Sequence, residues 1–246
     1  MLTSVCRTVP FHPGPVHYRH GRAEVIVQDV SPGIFPGDRL ETDVTVHEGA
    51  ALIVSGQSAT KIYASTHRVS SEMSTVLRVD RGATLWWLPG DIIPFRDAIY
   101  SARTRVVLEE GARFALLEIV TPGRLAMGER DAYHRLDLRL RIDVAGKPVF
   151  LERSVLDPRE QPLSSIGSHG HFACSGLLVA VGYAVPSDQE RCAKEVWIGA
   201  DGNRELMVAR GLAQAAAPLR EALRSLLTRM DEGLEQLPMG CGALGV

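Results

Sequence analysis

A loose repeat of strand, turn and strand runs through the first two thirds of the chain and constrains its fold more than any other feature. The three copies span residues 43–55, 76–88 and 105–117. Each copy has alternating apolar residues, an acidic or basic pair, Gly-Ala and a second apolar run. Their glycines stand 33 and 29 residues apart in the chain: Gly49, Gly82 and Gly111. Strand pairs that recur in this way indicate a mainly β protein.

The repeat also suggests how the strands are arranged. Alternation of apolar and polar residues predicts strands with one buried face, and the Gly-Ala turn is typical of either a hairpin or an arch. A period near 30 residues, with a weaker fourth copy over 138–154, favours helically wound or stacked sheets, both antiparallel and mixed. The alternative is an ordinary antiparallel protein, in which strand and turn also repeat.

Composition agrees with a globular protein of many short elements. The 246 residues include 23 Gly and 14 Pro without a low-complexity run, and the net charge of −2 argues against nucleic acid or an anionic membrane as partner. Four separated cysteines and the lack of a leader after Met1 predict a cytoplasmic protein. We expect one β-rich domain over residues 1–236 and a flexible tail over 237–246.

A single amphipathic helix is predicted near the C-terminus. It begins around Pro218, a residue suited to the first turn of a helix. Its apolar positions recur every three or four residues: Leu219, Leu223, Leu226, Met230 and Leu234. The opposite side is polar: Arg220, Glu221, Arg224 and Thr228. This pattern predicts a helix that covers the sheet with its apolar side.

Two histidines and a cysteine form a candidate metal site. His169, His171 and Cys174 lie within six residues and are ligand types that suit zinc, nickel or copper. They supply at most three ligands, and a structural histidine beside a buried thiol is the alternative. This group supports a rival function, a small metal-dependent hydrolase that uses His169, His171 and a carboxylate.

Two glutamates stand inside apolar runs. Glu118 and Glu152 lie in strands predicted to have a buried face, where a carboxylate must be paired, hydrogen-bonded or exposed to a wet cavity. Pairing with a nearby arginine, Arg124 or Arg153, or an outward orientation, is the alternative.

No enzyme class is supported by a strong motif. Ser58 and Lys61 have the spacing of serine acyl-transfer enzymes, but they follow an apolar strand and the other elements of those enzymes are missing. We therefore expect Lys61 and Tyr63 to line or brace a surface, and the sequence predicts that the protein is not an enzyme.

Four blocks of sequence, in order, resemble one known family. They are SPGIFPGDRL (31–40), GQSATKIYAS (56–65), LWWLPGDIIPFRDA (85–98) and EGARFALLEIVTPGRLAMGE (110–129). This pattern is similar to that of the urease accessory protein UreD, called UreH in some organisms. One departure is Pro36, which stands where the family has glycine before Gly37 and Asp38.

The resemblance implies a β-rich, helically wound fold and a non-enzymatic role in urease maturation. In the family, the protein binds the accessory protein UreF, which recruits the GTPase UreG, and the assembly docks on apo-urease to insert nickel. An internal water-filled passage is thought to carry the nickel. The resemblance therefore implies transient nickel, no tightly bound cofactor, and neither nucleic acid nor membrane as partner.

The resemblance also points to individual residues. Asp38 matches the Gly-Asp of the family, and Thr60, Lys61 and Tyr63 match its Thr-Lys-x-Tyr. Its Gly-Arg-x-x-x-Gly-Glu is matched by Gly123, Arg124, Gly128 and Glu129. Its acidic strand position is matched by Glu118, and its Leu-Glu-Arg is matched at Glu152. The hypothesis for a nickel passage rests on three carboxylates: Asp38, Glu118 and Glu152.

Overall fold

The computed structural model describes residues 3–19, 21–165, 168–183, 191–193, 196–202 and 206–231. The predicted tail over 237–246 and Leu234 lie outside the described residues. The first strands are β1 Phe11–Pro13, β2 His17–Arg19, β3 Arg22–Asp29, β4 Arg39–Val46, β5 Ala51–Gly56, β6 Thr60–Ile62, β7 Ser71–Val79, β8 Thr84–Leu88 and β9 Ile92–Pro94. The others are β10 Ile99–Leu108, β11 Arg113–Val120, β12 Arg135–Val144, β13 Lys147–Leu156, β14 Cys174–Val181, β15 Arg191–Ala193, β16 Val196–Gly202 and β17 Leu206–Ala213. A short 3-10 helix spans Leu125–Met127, and the α-helix α1 spans Ala216–Met230.

Within the described residues the strands form two sheets that the chain winds between. The small sheet has the order β13-β12-β10-β7-β4, and the main path of the large sheet is β1-β3-β5-β8-β11-β14-β17-β16-β15. From β3 to β12 the long strands alternate between the two sheets, and neighbours from successive coils pair in parallel. The wound, mainly β fold expected from the repeat is confirmed.

The Gly-Ala turns of the three main copies are arches that carry the chain from one sheet to the other. In each turn the alanine N–H donates to the carbonyl three residues before it, as Ala50 donates to His47 at 3.0 Å. The glycine is third in the turn and has positive φ, +68° at Gly49, which a type II turn requires. The fourth copy differs, because Ala145 and Gly146 form the tight turn of a true hairpin between antiparallel β12 and β13.

Apolar side chains between the sheets stack in rows because the coils are in register. Val46 pairs with Val79, and Val79 pairs with Leu108, so equivalent positions of successive coils pack together. These rows form two apolar clusters between the sheets, and a third cluster lies between the large sheet and α1. The adjacent Trp86 and Trp87 belong to different clusters, since neighbouring residues of a strand face opposite sides.

The predicted helix is confirmed, with Pro218 in its first turn. The side chains that it buries against the large sheet are Leu219, Leu223, Leu226, Leu227 and Met230. Arg220, predicted to face away from the sheet, forms an ion pair with Asp91 after β8. Nowhere in the described residues is a helix both long and apolar enough to cross a membrane.

Candidate functional site

A polar layer separates the two apolar clusters between the sheets. On β10, the inward residues change from Val106 to Thr104 and back to Ala102, and on β11 they change from Leu116 to Glu118 and then Val120. The same change occurs at the same level on three other strands. The polar layer consists of Thr42, Thr75, Thr104, Glu118 and Glu152. All of them except Glu118 belong to the small sheet, where they pair side by side in one row that also contains Leu140.

A partly enclosed cavity lies in the polar layer. It is lined by residues of both sheets, among them Glu118, Glu152, Thr104 and Ser154. The volume of the cavity that is open to the centres of water molecules is about 30 Å³. Roughly 10–15 Å³ of such volume is enough for one water. The cavity is therefore large enough for one or two waters, and two carboxylates from opposite sheets line it.

Glu118 faces this cavity without a partner that would stabilise its charge. The side chain is half-buried, and within the described residues no hydrogen-bond donor reaches its carboxylate. Burial, and to a lesser extent the negative charge of Glu152, raise the pKa of Glu118 to about 7. Burial and the charge of Glu118 also raise the pKa of Tyr100 above its ordinary range. Near neutral pH, Glu118 thus alternates between its protonated and charged forms.

Glu152 is held by two donors. Its Oε2 accepts a short hydrogen bond from Nη2 of Arg210, and its Oε1 accepts a bond of 3.3 Å from Oγ of Ser154. The arginines suggested by the sequence make other contacts, since Arg153 binds Asp137 and Arg124 binds Glu129. The alternative that Arg124 or Arg153 pairs with these glutamates does not hold, and strand alternation points Arg153 to the outer face of the small sheet.

Arg210 is the residue that the sequence analysis missed. It lies on β17, opposite Leu177 of β14, which in turn lies opposite Glu118 of β11. Its one signal in the sequence is its position two residues after Val208, on the same face of β17. Arg210 therefore lies at the level where the inward residues become polar. That level is defined only by the packing of distant strands.

The other motif residues meet along one edge of the coil, in a stack of aromatic rings and one guanidinium. Phe35 and Tyr63 stack with their ring centroids 4.5 Å apart, and Tyr63 and Phe95 follow at 4.8 Å. The guanidinium of Arg124 lies 3.9 Å from the centre of the Phe95 ring, a cation–π contact. We call Phe35, Tyr63, Phe95 and Arg124 the aromatic stack. All four sequence blocks are thereby joined in space.

The two ends of the aromatic stack are fixed by carboxylates. At one end, Arg124 donates two bonds of 2.8 and 2.6 Å to Glu129, and this interaction lowers the pKa of Glu129. At the other end, Asp38 accepts a bond of 2.8 Å from the Phe35 N–H. Pro36 occupies the second position of this turn, so the departure from the family pattern fits its geometry.

Asp38 and the residues of β6 stand apart from the two glutamates. Asp38 is half-buried and does not line the cavity. The Lys61 side chain is exposed, and its carbonyl accepts a bond of 2.8 Å from the Ile34 N–H. The backbone N–H of Thr60 donates to the backbone carbonyl of Asp91 at 2.8 Å. Of the three carboxylates in the hypothesis for a nickel passage, the structure brings together Glu118 and Glu152.

The candidate metal residues lie in a turn and at the start of β14. His169 and His171 belong to the turn, and the His171 ring packs on Phe172 with centroids 4.0 Å apart. Burial lowers the pKa of His169, and burial raises the pKa of Cys174 to about 11, which disfavours the thiolate. Across the described residues, no group of three His, Cys, Asp or Glu side chains could hold a metal ion. The described residues therefore contain no set of three metal ligands that the hydrolase hypothesis could use.

Comparison with known proteins gives a consistent result. Residues 2–240 match the family described as UreD urease accessory protein. A urease accessory protein UreD from Opitutus terrae is 30% identical over an alignment that covers 96% of this chain and 90% of that protein. One from Mycolicibacterium gilvum is 34% identical over 71% of this chain and 62% of its own length. One from Brucella suis is 37% identical over 56% of this chain and 49% of its own length.

The resemblance of the four sequence blocks is therefore confirmed across nearly the whole chain. Each of the four blocks contributes one residue to the aromatic stack, and the fourth includes Glu118 as well as Arg124. On the family match and on a relative that aligns with almost all of its residues, the chain belongs to the UreD family of urease accessory proteins.

Proposed function

We propose that this protein acts in urease maturation as a non-catalytic scaffold and nickel conduit in the cytoplasm. It binds a UreF-type accessory protein, which recruits a UreG-type GTPase, and it docks on apo-urease while nickel is inserted. Nickel is transient cargo, and no cofactor is tightly bound. The observation that carries the proposal is the placement of Glu118 and Glu152, from opposite sheets, at one cavity in the polar layer.

The chemistry of the cavity suits cargo that must leave again. Carboxylate and water oxygens bind divalent nickel, whereas a closed set of imidazoles and thiolates holds such ions far more tightly. The cavity offers two carboxylates, the hydroxyls of Thr104 and Ser154, and space for water. A site of this kind exchanges its ion readily, which is what a conduit requires.

Exposed apolar side chains beside the aromatic stack support the scaffold part of the proposal. Phe35 is 42% exposed, Leu125 is 47% exposed and Met127 is 67% exposed. Arg124, which directly precedes Leu125, is held by Glu129 and Phe95. A rigid guanidinium flanked by apolar side chains is a composition common at protein interfaces.

The conduit is tested in cells that make urease together with all of its accessory proteins. Glu118→Gln and Glu152→Gln are expected to lower urease activity and the nickel content of purified urease, while the accessory complex still forms. Glu41→Gln, at an exposed carboxylate of β4, is the matched control and should activate urease normally. Full activation by both cavity variants would show that the conduit is wrong.

The scaffold is tested by affinity purification from the same cells. The tagged protein should recover urease subunits and both other accessory proteins. Recovery of none of them at low salt would contradict the scaffold. A hydrolase would instead carry a stoichiometric metal ion and turn over an ester or amide.

A further inference from the structure

Arg210 joins the two sheets at the cavity. Its strand, β17, belongs to the large sheet, and its guanidinium binds Oε2 of Glu152 on β13 of the small sheet. The Arg210 side chain is 56% exposed and that of Glu152 is 17% exposed. This ion pair therefore lies where the polar layer meets solvent.

Arg210 is the arginine that binds a cavity glutamate, since Arg139, which also lines the cavity, directs its guanidinium to Asp137. Glu118 and Glu152 are close enough for the charge of Glu152 to affect the ionisation of Glu118. Among the described residues, Arg210 is the only cation that contacts one of these two glutamates, and the glutamate that it contacts is Glu152. The guanidinium thus offsets the charge of Glu152 and leaves Glu118 at the cavity without a partner.

A guanidinium and a divalent cation compete for the same carboxylate oxygens. The Oε2 of Glu152 that would coordinate an ion is the atom that Arg210 occupies, and Oε1 accepts the Ser154 hydroxyl. Arg210 can move away without disturbing its strand, because more than half of its side chain is in solvent. The pair is therefore a reversible obstacle to cation binding.

We propose that Arg210 sets the cation affinity of the cavity, by occupying Glu152 in the resting protein and moving into solvent before a divalent ion binds. The inference rests on the proposed passage of nickel through this cavity. It adds the residue that keeps binding weak and so prevents the two carboxylates from trapping the ion. Arg210 acts through Glu152 and is a positioning residue, not an ion ligand.

Nickel binding to the purified full-length protein, measured by equilibrium dialysis, tests this inference. Arg210→Met keeps the apolar stem and removes the charge, and we expect it to bind Ni²⁺ at least tenfold more tightly than the wild type. The gain should vanish in the double variant Arg210→Met with Glu152→Gln, and Arg210→Lys should stay near the wild type because the cation is kept. A gain that persists without Glu152 would overturn the proposal.

The control and the readouts separate this inference from structural effects. Arg78→Met breaks an exposed ion pair with Asp43 on the outer face of the small sheet and should leave nickel binding unchanged. Circular dichroism checks that each variant is folded, and Arg210→Gln provides the same test if Arg210→Met does not fold. Wild-type nickel affinity in the folded Arg210 variant would show that Arg210 does not control the cavity.

Urease activation in cells distinguishes failure of this inference from failure of the proposed function. If Arg210→Met binds nickel more tightly while Glu118→Gln and Glu152→Gln activate urease normally, the conduit is wrong and the role of Arg210 stands. If those two variants block activation while Arg210→Met binds nickel like the wild type, the conduit stands and the inference about Arg210 is wrong.

Discussion

Glu118 and Glu152 belong to opposite sheets and line the same cavity, although 34 residues separate them in the chain. Strands β11 and β13 bring them there, one from each layer of the coil. Each glutamate alone is a polar residue in an apolar strand. Together they place two carboxylates at one cavity, where the charge of Glu152 helps to raise the pKa of Glu118 and Arg210 binds Glu152.

Glu118 is predicted to make the protein less stable as the pH rises from about 4.5 to about 7. In this interval the folded protein retains a proton on Glu118 that the unfolded chain has released, because burial raises the pKa in the folded state. The free energy of unfolding attributable to this group therefore falls with increasing pH, by about 3 kcal/mol at most. Below both pKa values the group has no effect on stability.

Urea unfolding at about pH 5 and about pH 8 measures this effect. Glu118→Gln should lose less stability than the wild type between the two pH values, whereas Glu41→Gln should behave like the wild type. An identical pH dependence in all three proteins would contradict the raised pKa.

Leu223→Ala is predicted to lower the free energy of unfolding by about 2–5 kcal/mol, the usual cost of a cavity left by a buried leucine. Leu223 is fully buried between α1 and the large sheet. Leu125→Ala removes the same atoms from a side chain that is 47% exposed and should cost much less. Equal losses in a urea titration would show that α1 does not pack as described.

Gly123→Ala is predicted to destabilise the protein more than Gly128→Ala. A Cβ at Gly123 would lie 2.3 Å from the carbonyl oxygen of Glu129 and 3.0 Å from that of Pro94, so the backbone would have to move. Gly128 has a φ of +69° and open space around a Cβ, so its substitution costs only about 1–2 kcal/mol of backbone strain. Thermal unfolding of both variants measures the difference, and a smaller shift for Gly123→Ala would contradict this packing.

Cys174 is predicted to resist alkylation in the folded protein, while Cys6 reacts. Burial raises the pKa of the Cys174 thiol to about 11, and the thiolate is the reactive form. Cys6 is exposed. Iodoacetamide at about pH 8, followed by peptide mass spectrometry, should label Cys174 only after unfolding. Rapid labelling of Cys174 in the folded state would contradict this prediction and would support Cys174 as a candidate metal ligand.

Much of the local structure could be predicted from the residues. Alternation in segments such as residues 105–117 predicted the strands, because one buried face imposes a period of two. Gly49 and its equivalents predicted the turns, because few other residues adopt positive φ. Leucines spaced by three and four predicted α1 and its buried side, although Arg220 binds Asp91 instead of facing solvent.

The arrangement in space could not be predicted in the same way. The Gly-Ala turn at Gly82 is an arch and the turn at Gly146 is a hairpin, and the difference depends on which sheet the following strand joins. The partner of Glu152 is Arg210, 58 residues away, instead of the adjacent Arg153. Sequence proximity misled here because consecutive residues of a strand point to opposite faces.

The sequence by itself determined the strands, the turns, the helix and the family, because each of these is recorded in neighbouring residues or in short motifs. Only the tertiary structure decided that Glu118 and Glu152 share a cavity, that Arg210 covers one of them, and that the motif blocks form the aromatic stack. The physical reason is the register of the coils. It brings distant residues to the same level between two sheets, and no local pattern specifies that level.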